Sequence, residues 1–387
     1  MKYNFDETPD RLNTNSLKWD LEQECLPMWV ADMDFQTSPE IIDAIKDRAS
    51  HGIFGYSLVP DEWYTSIIKW WETRHNLSIK KEWLIFCTGI VPAITCSVKR
   101  LTNHGDNVLV QTPVYGIFFS SIENTGRHVL ENRLKFNGRE YEIDFEDLEK
   151  KLAHPLTTLM ILCNPQNPSG KIWSKDELMR IGELCEKYHV TVIADEIHCD
   201  LTNPDLSYTP FASVSEICRN NSITCVSASK AFNIAGLQSA AVFIPNEKLR
   251  QNIYRGLNSD ELAEPNCFAA IATATAFMKG GEWLDSLREY LYENKLRAYE
   301  LIKNELPEVT VVEAPATYLL WIDCRKITED TSDLCDYLKK TQKLFLSDGS
   351  EYRGDGKLFV RMNVACPRNR MEEGIRRFCE GCKAYME

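Results

Sequence analysis

Apolar runs that each end in a short polar motif predict an α/β protein. The large domain is expected on a mainly parallel, doubly wound sheet, with a smaller α+β domain built from the N- and C-terminal segments. Three runs carry this reading. Residues 158–163, 190–193 and 223–226 are strand-like, and they lead directly into NPQNPSG at 164–170, ADEIH at 194–198 and SASKAFN at 227–233. A helix expected over 175–188 returns from the first run to the second, the crossover that joins parallel neighbours. At 387 residues the chain exceeds the length at which a single core stops growing. Near residue 285 the pattern changes to a long charged helix, 283–305, followed by strand-like stretches at 310–312, 318–322 and 358–362. The expected division is 1–43 as an N-terminal arm and part of the small domain, 44–285 as the large domain, and 286–387 as the small C-terminal domain.

In chain order, the segment up to about residue 26 is turn-rich and reads as an extended arm. MWVADMDF at 28–35 is apolar and then acidic; Asp32 and Asp34 are read as loop residues with Asx-type turn bonds rather than as a metal or acid/base pair. Ser38-Pro39-Glu40 starts a helix with proline at its first position. GIFGYS at 52–57 is a glycine-punctuated loop carrying Phe54 and Tyr56, and the helix after it has Trp63, Tyr64, Trp70 and Trp71 at spacings that fit one buried face. After a strand at 84–87, the turn at Gly89 opens a helix through Ile90 and Val91. Backbone N–H groups at such a start sit at the positive end of the helix dipole and form an anion site. A further strand, 107–111, ends in TPVY with Tyr115.

Two Asn-Pro pairs stiffen the loop at 164–170, so that the amide of Asn167 can be aimed. Asp195 stands at a strand end, where an unpartnered carboxylate would be costly, and it therefore wants a cation. Lys230 presents an amine at the end of the next run. Arg361, within FVRMN, needs a carboxylate if it is buried. The polar, glycine-containing stretch 347–356 reads as a mobile lid.

A formal net charge of −13 argues against a nucleic-acid partner. The polar N-terminus has no apolar core for a signal peptide, and no stretch is long and apolar enough to span a membrane, so a cytoplasmic protein is expected. Fourteen scattered cysteines read as reduced, partly buried small hydrophobes. Cys379 and Cys382 form a CxxC without a second pair, and no metal site is expected.

In an open parallel sheet ligands bind outside the carboxyl ends of the strands, which would bring Asn167, Asp195 and Lys230 together. An acid and an amine in one cleft with an asparagine suit pyridoxal 5'-phosphate, whose aldehyde forms a Schiff base with lysine and whose ring nitrogen needs an aspartate. The three motifs, in this order, resemble those of the aspartate aminotransferase fold family of pyridoxal phosphate enzymes (fold type I, class I/II aminotransferase-like). Within it, DEIH, MWVADMDF and RMNVACPR at 361–368 resemble the cystathionine β-lyase (cysteine-S-conjugate β-lyase) branch, and the resemblance covers nearly the whole chain.

That resemblance implies catalytic roles for Lys230, Asp195 and Tyr115, with Tyr115 flat against the cofactor ring. Gly89, Ile90, Val91, Ser227 and Ser229 would hold the phosphate, and His198 would approach the ring hydroxyl, where ordinary aminotransferases of this fold carry tyrosine. Arg361 and Asn167 would hold the α-carboxylate of a small amino-acid substrate, and the Asn167 amide would donate to the cofactor's ring oxygen. Tyr56 would reach the phosphate in a neighbouring subunit, which implies a homodimer with shared sites. Eight residues beyond the lysine, many relatives have an arginine and this chain has Gln238, which fits the lyase branch better. The expected reaction cleaves the carbon–sulfur bond of cystathionine or another S-substituted cysteine to pyruvate, ammonia and a thiol. An aminotransferase on the same scaffold, and a protein-binding regulator that keeps the enzyme fold, are the alternatives.

Overall fold

The computed structural model describes residues 3–387. Seven strands form the large sheet: β1 (Leu84–Cys87), β2 (Asn107–Thr112), β3 (His128–Arg133), β4 (Thr157–Cys163), β5 (Thr191–Asp195), β6 (Ser222–Val226) and β7 (Ala240–Phe243). Their order is β1-β7-β6-β5-β4-β2-β3; β7 runs antiparallel to both its neighbours and every other pairing is parallel. The strands are apolar almost throughout because both faces are covered. Val108, Ile161, Ile193 and Ile223 pack on one face with Ile94 and Val98 of the helix Ile90–Leu101. Leu109, Met160, Leu162, Val192 and Ala194 point the other way, against Leu178 and Ile181 of the helix Lys175–Lys187. That helix begins with a reciprocal cap between Ser174 and Glu177.

Register delivers the site. Cys163 lies opposite Asp195, and Asp195 opposite Cys225, so the carboxyl ends of β4, β5 and β6 finish level with one another. The polar motifs that follow them therefore emerge along one edge of the sheet.

A second sheet of β8 (Thr310–Val311), β9 (Leu319–Asp323), β10 (Ser347–Asp348) and β11 (Phe359–Asn363) is antiparallel, in the order β8-β9-β11-β10. Leu320, Ile322, Val360 and Met362 pack against Leu334 and Leu338 of the helix Thr331–Thr341 and Ile375 and Phe378 of the helix Arg368–Met386. Leu26–Pro27 pairs in parallel with Leu344–Phe345, so the N-terminal segment lies against the C-terminal one.

Several local expectations shift. The N-terminal arm contains a short helix, Leu17–Asp20, capped by the Ser16 side chain. The long charged helix starts at Gly281, two residues early, and β9 is displaced by one residue. Residues 347–356 are not a free lid: they supply β10 and 3₁₀ turns, and a Cβ on Gly349 would lie 2.1 Å from the Phe359 carbonyl, so this segment is packed onto β11. Asp32 and Asp34 belong to an ion cluster rather than to Asx turns. Asp34 is buried and meets Arg11 at 2.7 Å, Arg370 at 3.1 Å and Lys18 at 3.3 Å, while Asp32 takes a second bond from Arg11 at 2.8 Å. The four tryptophan-helix positions behave as their spacing predicts, with Trp63, Trp70 and Trp71 buried and Tyr64 packed at the margin. All fourteen cysteines are free; thirteen are buried and Cys267 is partly exposed. No helix among the described residues is long and apolar enough to cross a membrane.

Candidate active site

Lys230, three residues after the buried Ser227, extends its amine toward the segment 30–35 and donates to the Ala31 carbonyl at 2.6 Å. Desolvation, and next the positive charge of Arg361, push the amine down to about 8; Asp32 and Asp195 oppose them. Asp195 closes β5 and is 4% exposed. It accepts the Ile197 N–H at 3.1 Å, and burial lifts its carboxyl to about 7 against the weaker pull of that bond and of Lys230. His198 is buried, and desolvation followed by the charges of Lys230 and Arg361 drops it to about 3, so it is neutral. Its Nδ1 is buried without a hydrogen-bond partner among the described residues.

Arg361 on β11 is 4% exposed and reaches across from the small sheet to Asn167, whose Oδ1 accepts its Nη1 at 3.2 Å. Nη2 donates to the Trp29 carbonyl at 2.7 Å and to Ser347 Oγ at 3.3 Å, and the guanidinium lies over the Tyr352 ring. Nε–H has no hydrogen-bond partner among the described residues. Tyr115 is held edge-on by Phe118; burial raises its hydroxyl, with Arg361 and Asp195 as the charged groups it feels. These side chains, which the sequence reading placed in one cleft, are brought together there.

The candidate phosphate end is less uniform. Gly89 precedes the helix Ile90–Leu101 with no side chain capping it, so the first N–H groups, at Ile90 and Val91, are not served by a side chain. Ser227 Oγ donates to the Ser239 carbonyl at 2.6 Å and accepts from the Ser229 N–H at 3.0 Å, and would have to turn from Ser239 to donate to an anion. Gln238 is exposed with a left-handed backbone, φ 53°. Tyr56 stands apart: it is fully exposed and lines a separate groove with Tyr64, Phe86 and Tyr254.

Several groups escaped the sequence reading. Asn233 accepts the Met33 N–H at 3.0 Å and donates to the Met33 and Phe35 carbonyls at 2.9 and 2.8 Å. Asn363 donates to the Val30 and Asp32 carbonyls at 2.7 and 2.6 Å. Both asparagines close motifs singled out for Lys230 and Arg361, which is the signal that could have found them. Tyr318 donates to the Ala31 carbonyl at 3.0 Å and left no such signal.

The residues fit pyridoxal phosphate. A buried carboxylate short of a cation, a neutral imidazole whose Nδ1 is unpaired among the described residues, a lysine whose amine is pushed toward neutrality and an uncapped helix start are the complements of a pyridinium, a ring hydroxyl, an aldehyde and a phosphate. Fold and site thus define a pyridoxal phosphate-dependent enzyme of the doubly wound type.

Comparison with known proteins places it more closely. Residues 24–378 match the family model for aminotransferase class I and II, and the chain belongs to that family. It is 41% identical to the cystathionine beta-lyase PatB of Bacillus subtilis, over 97% of this chain and 98% of that one. It is 33% identical to protein MalY of Escherichia coli, over 96% and 97%. Cystalysin from Treponema denticola, solved with pyridoxal 5'-phosphate, superimposes with a TM-score of 0.96 at 31% identity, over 99% of this chain and 100% of that one. A pyridoxal phosphate-bound putative aminotransferase from Clostridium difficile gives 0.95 at 38%, over 98% and 100%.

Proposed function

We propose that the protein is a pyridoxal phosphate-dependent carbon–sulfur β-lyase that converts cystathionine or another S-substituted cysteine, with water, to pyruvate, ammonia and a thiol. The convergence of Lys230, Asp195 and Arg361 in one buried cleft supports the chemistry, and the full-length likeness to a cystathionine beta-lyase supports the lyase branch. Bound pyridoxal phosphate supplies an aldehyde that joins the lysine or substrate amine and a ring that takes up electrons from Cα. Asn167 and Arg361 would hold that ring's oxygen and the substrate carboxylate. Asp195 would hold a proton at the ring nitrogen, because a cation there would relieve the burial of its charge. An amine near 8 is partly neutral at neutral pH, so Lys230 can take the Cα proton and later return one. Arg361 would orient the substrate through its carboxylate so that the bonds to be broken face the ring, and Tyr115 would lie against the ring and limit its tilt.

The division of the chain into a large unit, 44–285, and a small one from 1–43 and 286–387 is supported by the Leu26–Pro27 pairing with Leu344–Phe345. A homodimer with shared sites is supported by the fully exposed Tyr56 among exposed Ile53, Phe54 and Leu58. Fourteen free cysteines suit the reducing cytoplasm.

Product analysis tests the reaction: pyruvate, ammonia and thiol in equal amounts with no added keto acid support the lyase, whereas a requirement for an amino acceptor overturns it. Borohydride reduction and peptide mapping should mark Lys230. Mixing Lys230→Ala with Tyr56→Phe subunits should regain activity through hybrid sites; no gain after demonstrated subunit exchange would count against sharing.

A further inference from the structure

Tyr318 takes no part in the chemistry above, yet it is fully buried beside the reactive lysine. Its hydroxyl donates to the Ala31 carbonyl at 3.0 Å, and the same oxygen accepts Lys230 Nζ at 2.6 Å. A carbonyl has two lone pairs, so both donors can be served at once. That carbonyl is also fixed in space. Asn233, three residues beyond Lys230, grips Met33 and Phe35 by three hydrogen bonds. Asn363, two residues beyond Arg361, grips Val30 and Asp32 by two more. Ala31 lies between the two residues that Asn363 holds, and Asn233 anchors the chain just beyond them.

We propose that Tyr318 is a positioning residue that acts on Lys230 through the Ala31 carbonyl, and that this carbonyl holds the amine whenever it is not joined to the cofactor. The inference rests on Lys230 being the reactive amine. A neutral amine that donates one N–H to Ala31 keeps its lone pair turned away from that carbonyl, free to accept a proton. The charged ammonium is the stronger donor, so an uncontested carbonyl favours the charged form. Donation from Tyr318 to the same oxygen weakens that preference and keeps more of the amine neutral. The other groups that face Lys230 are Asp195 and Asp32, which favour the ammonium when charged, Arg361, which disfavours it, and His198, which is uncharged at neutral pH. Asp195 itself titrates near 7, and because Tyr318→Phe leaves it in place its contribution is common to both labelling profiles.

Tyr318→Phe removes one oxygen and tests this in two ways. In the holoenzyme the acid limb of the kcat profile should move up by about half a pH unit to one unit, with KM nearly unchanged. In cofactor-stripped protein, the pH dependence of Lys230 acylation, read by peptide mass spectrometry, should move by the same amount. Site-specific replacement of Tyr318 by 3-fluorotyrosine, a stronger donor of similar size, should move both profiles down, and this arm decides alone if Tyr318→Phe does not fold. Superimposable labelling profiles, or lower turnover with no shift of either profile, would overturn the proposal. Borohydride mapping to another lysine would instead sink the assignment of Lys230 and leave the labelling result readable by itself.

Discussion

Asp195 shows how a residue can be poor for the fold and good for the site. Burial lifts its carboxyl to about 7, above the ordinary carboxylate value, so the folded chain keeps a proton that the unfolded chain loses on going from about pH 4 to pH 7. In cofactor-stripped protein the stability contribution of this residue is therefore full below that window and falls as pH rises through it. Asp195→Asn should raise the unfolding temperature of the stripped protein by a few degrees at pH 8, and by progressively less toward pH 4. Thermal scans at several pH values check this. The same variant should lower kcat by roughly a hundredfold or more, since a contact charge pair of about 4 kcal/mol is lost from the ring nitrogen. Arg361 offers the complementary case. Its guanidinium divides its donors among Asn167, Trp29 and Ser347 and keeps Nε–H in reserve. A lysine has no planar fork, so Arg361→Lys should raise KM about tenfold or more with a smaller effect on kcat, measured by steady-state kinetics on an S-substituted cysteine.

At the scale of elements, the strand ends were legible because an apolar run that stops abruptly at Asn164, Asp195 or Ser227 has only one sensible place in a covered parallel sheet. The aimed side chains followed from that. What was not legible is backbone chemistry: the carbonyl of Ala31 carries no mark in the sequence, and Asn233 finds its partners 200 residues away at Met33. The cations that hold Asp34 come from residues 11, 18 and 370, and no local pattern links them. The turn after Asn167 is a sharper test of local geometry. Gly170 has φ 73°, and a Cβ there would meet the Ala316 carbonyl at 2.5 Å and Ala314 Cβ at 2.7 Å. Gly170→Ala must strain the backbone and push the 314–316 strap off the loop, costing about 2 kcal/mol or more. Urea denaturation should show the loss, and the displaced Asn167 should weaken substrate binding as well.

At the scale of the whole molecule, the Val30–Phe35 segment is what the large and small sheets share, gripped from one by Asn233 and from the other by Asn363. The exposed loop of Ile53, Phe54 and Tyr56 is a different kind of surface, with the Phe54 ring 6.0 Å from that of Phe268. Cys267 adjoins Phe268, and it alone of the fourteen thiols is not buried. Brief alkylation of the native protein should therefore mark one position per chain, identified by mass spectrometry, while the other thirteen react only after denaturation. Because that thiol borders the loop proposed for the subunit contact, its labelling rate should slow as protein concentration rises. A single sulfur whose reaction clock follows the proposed assembly would then gauge it without any added reporter group.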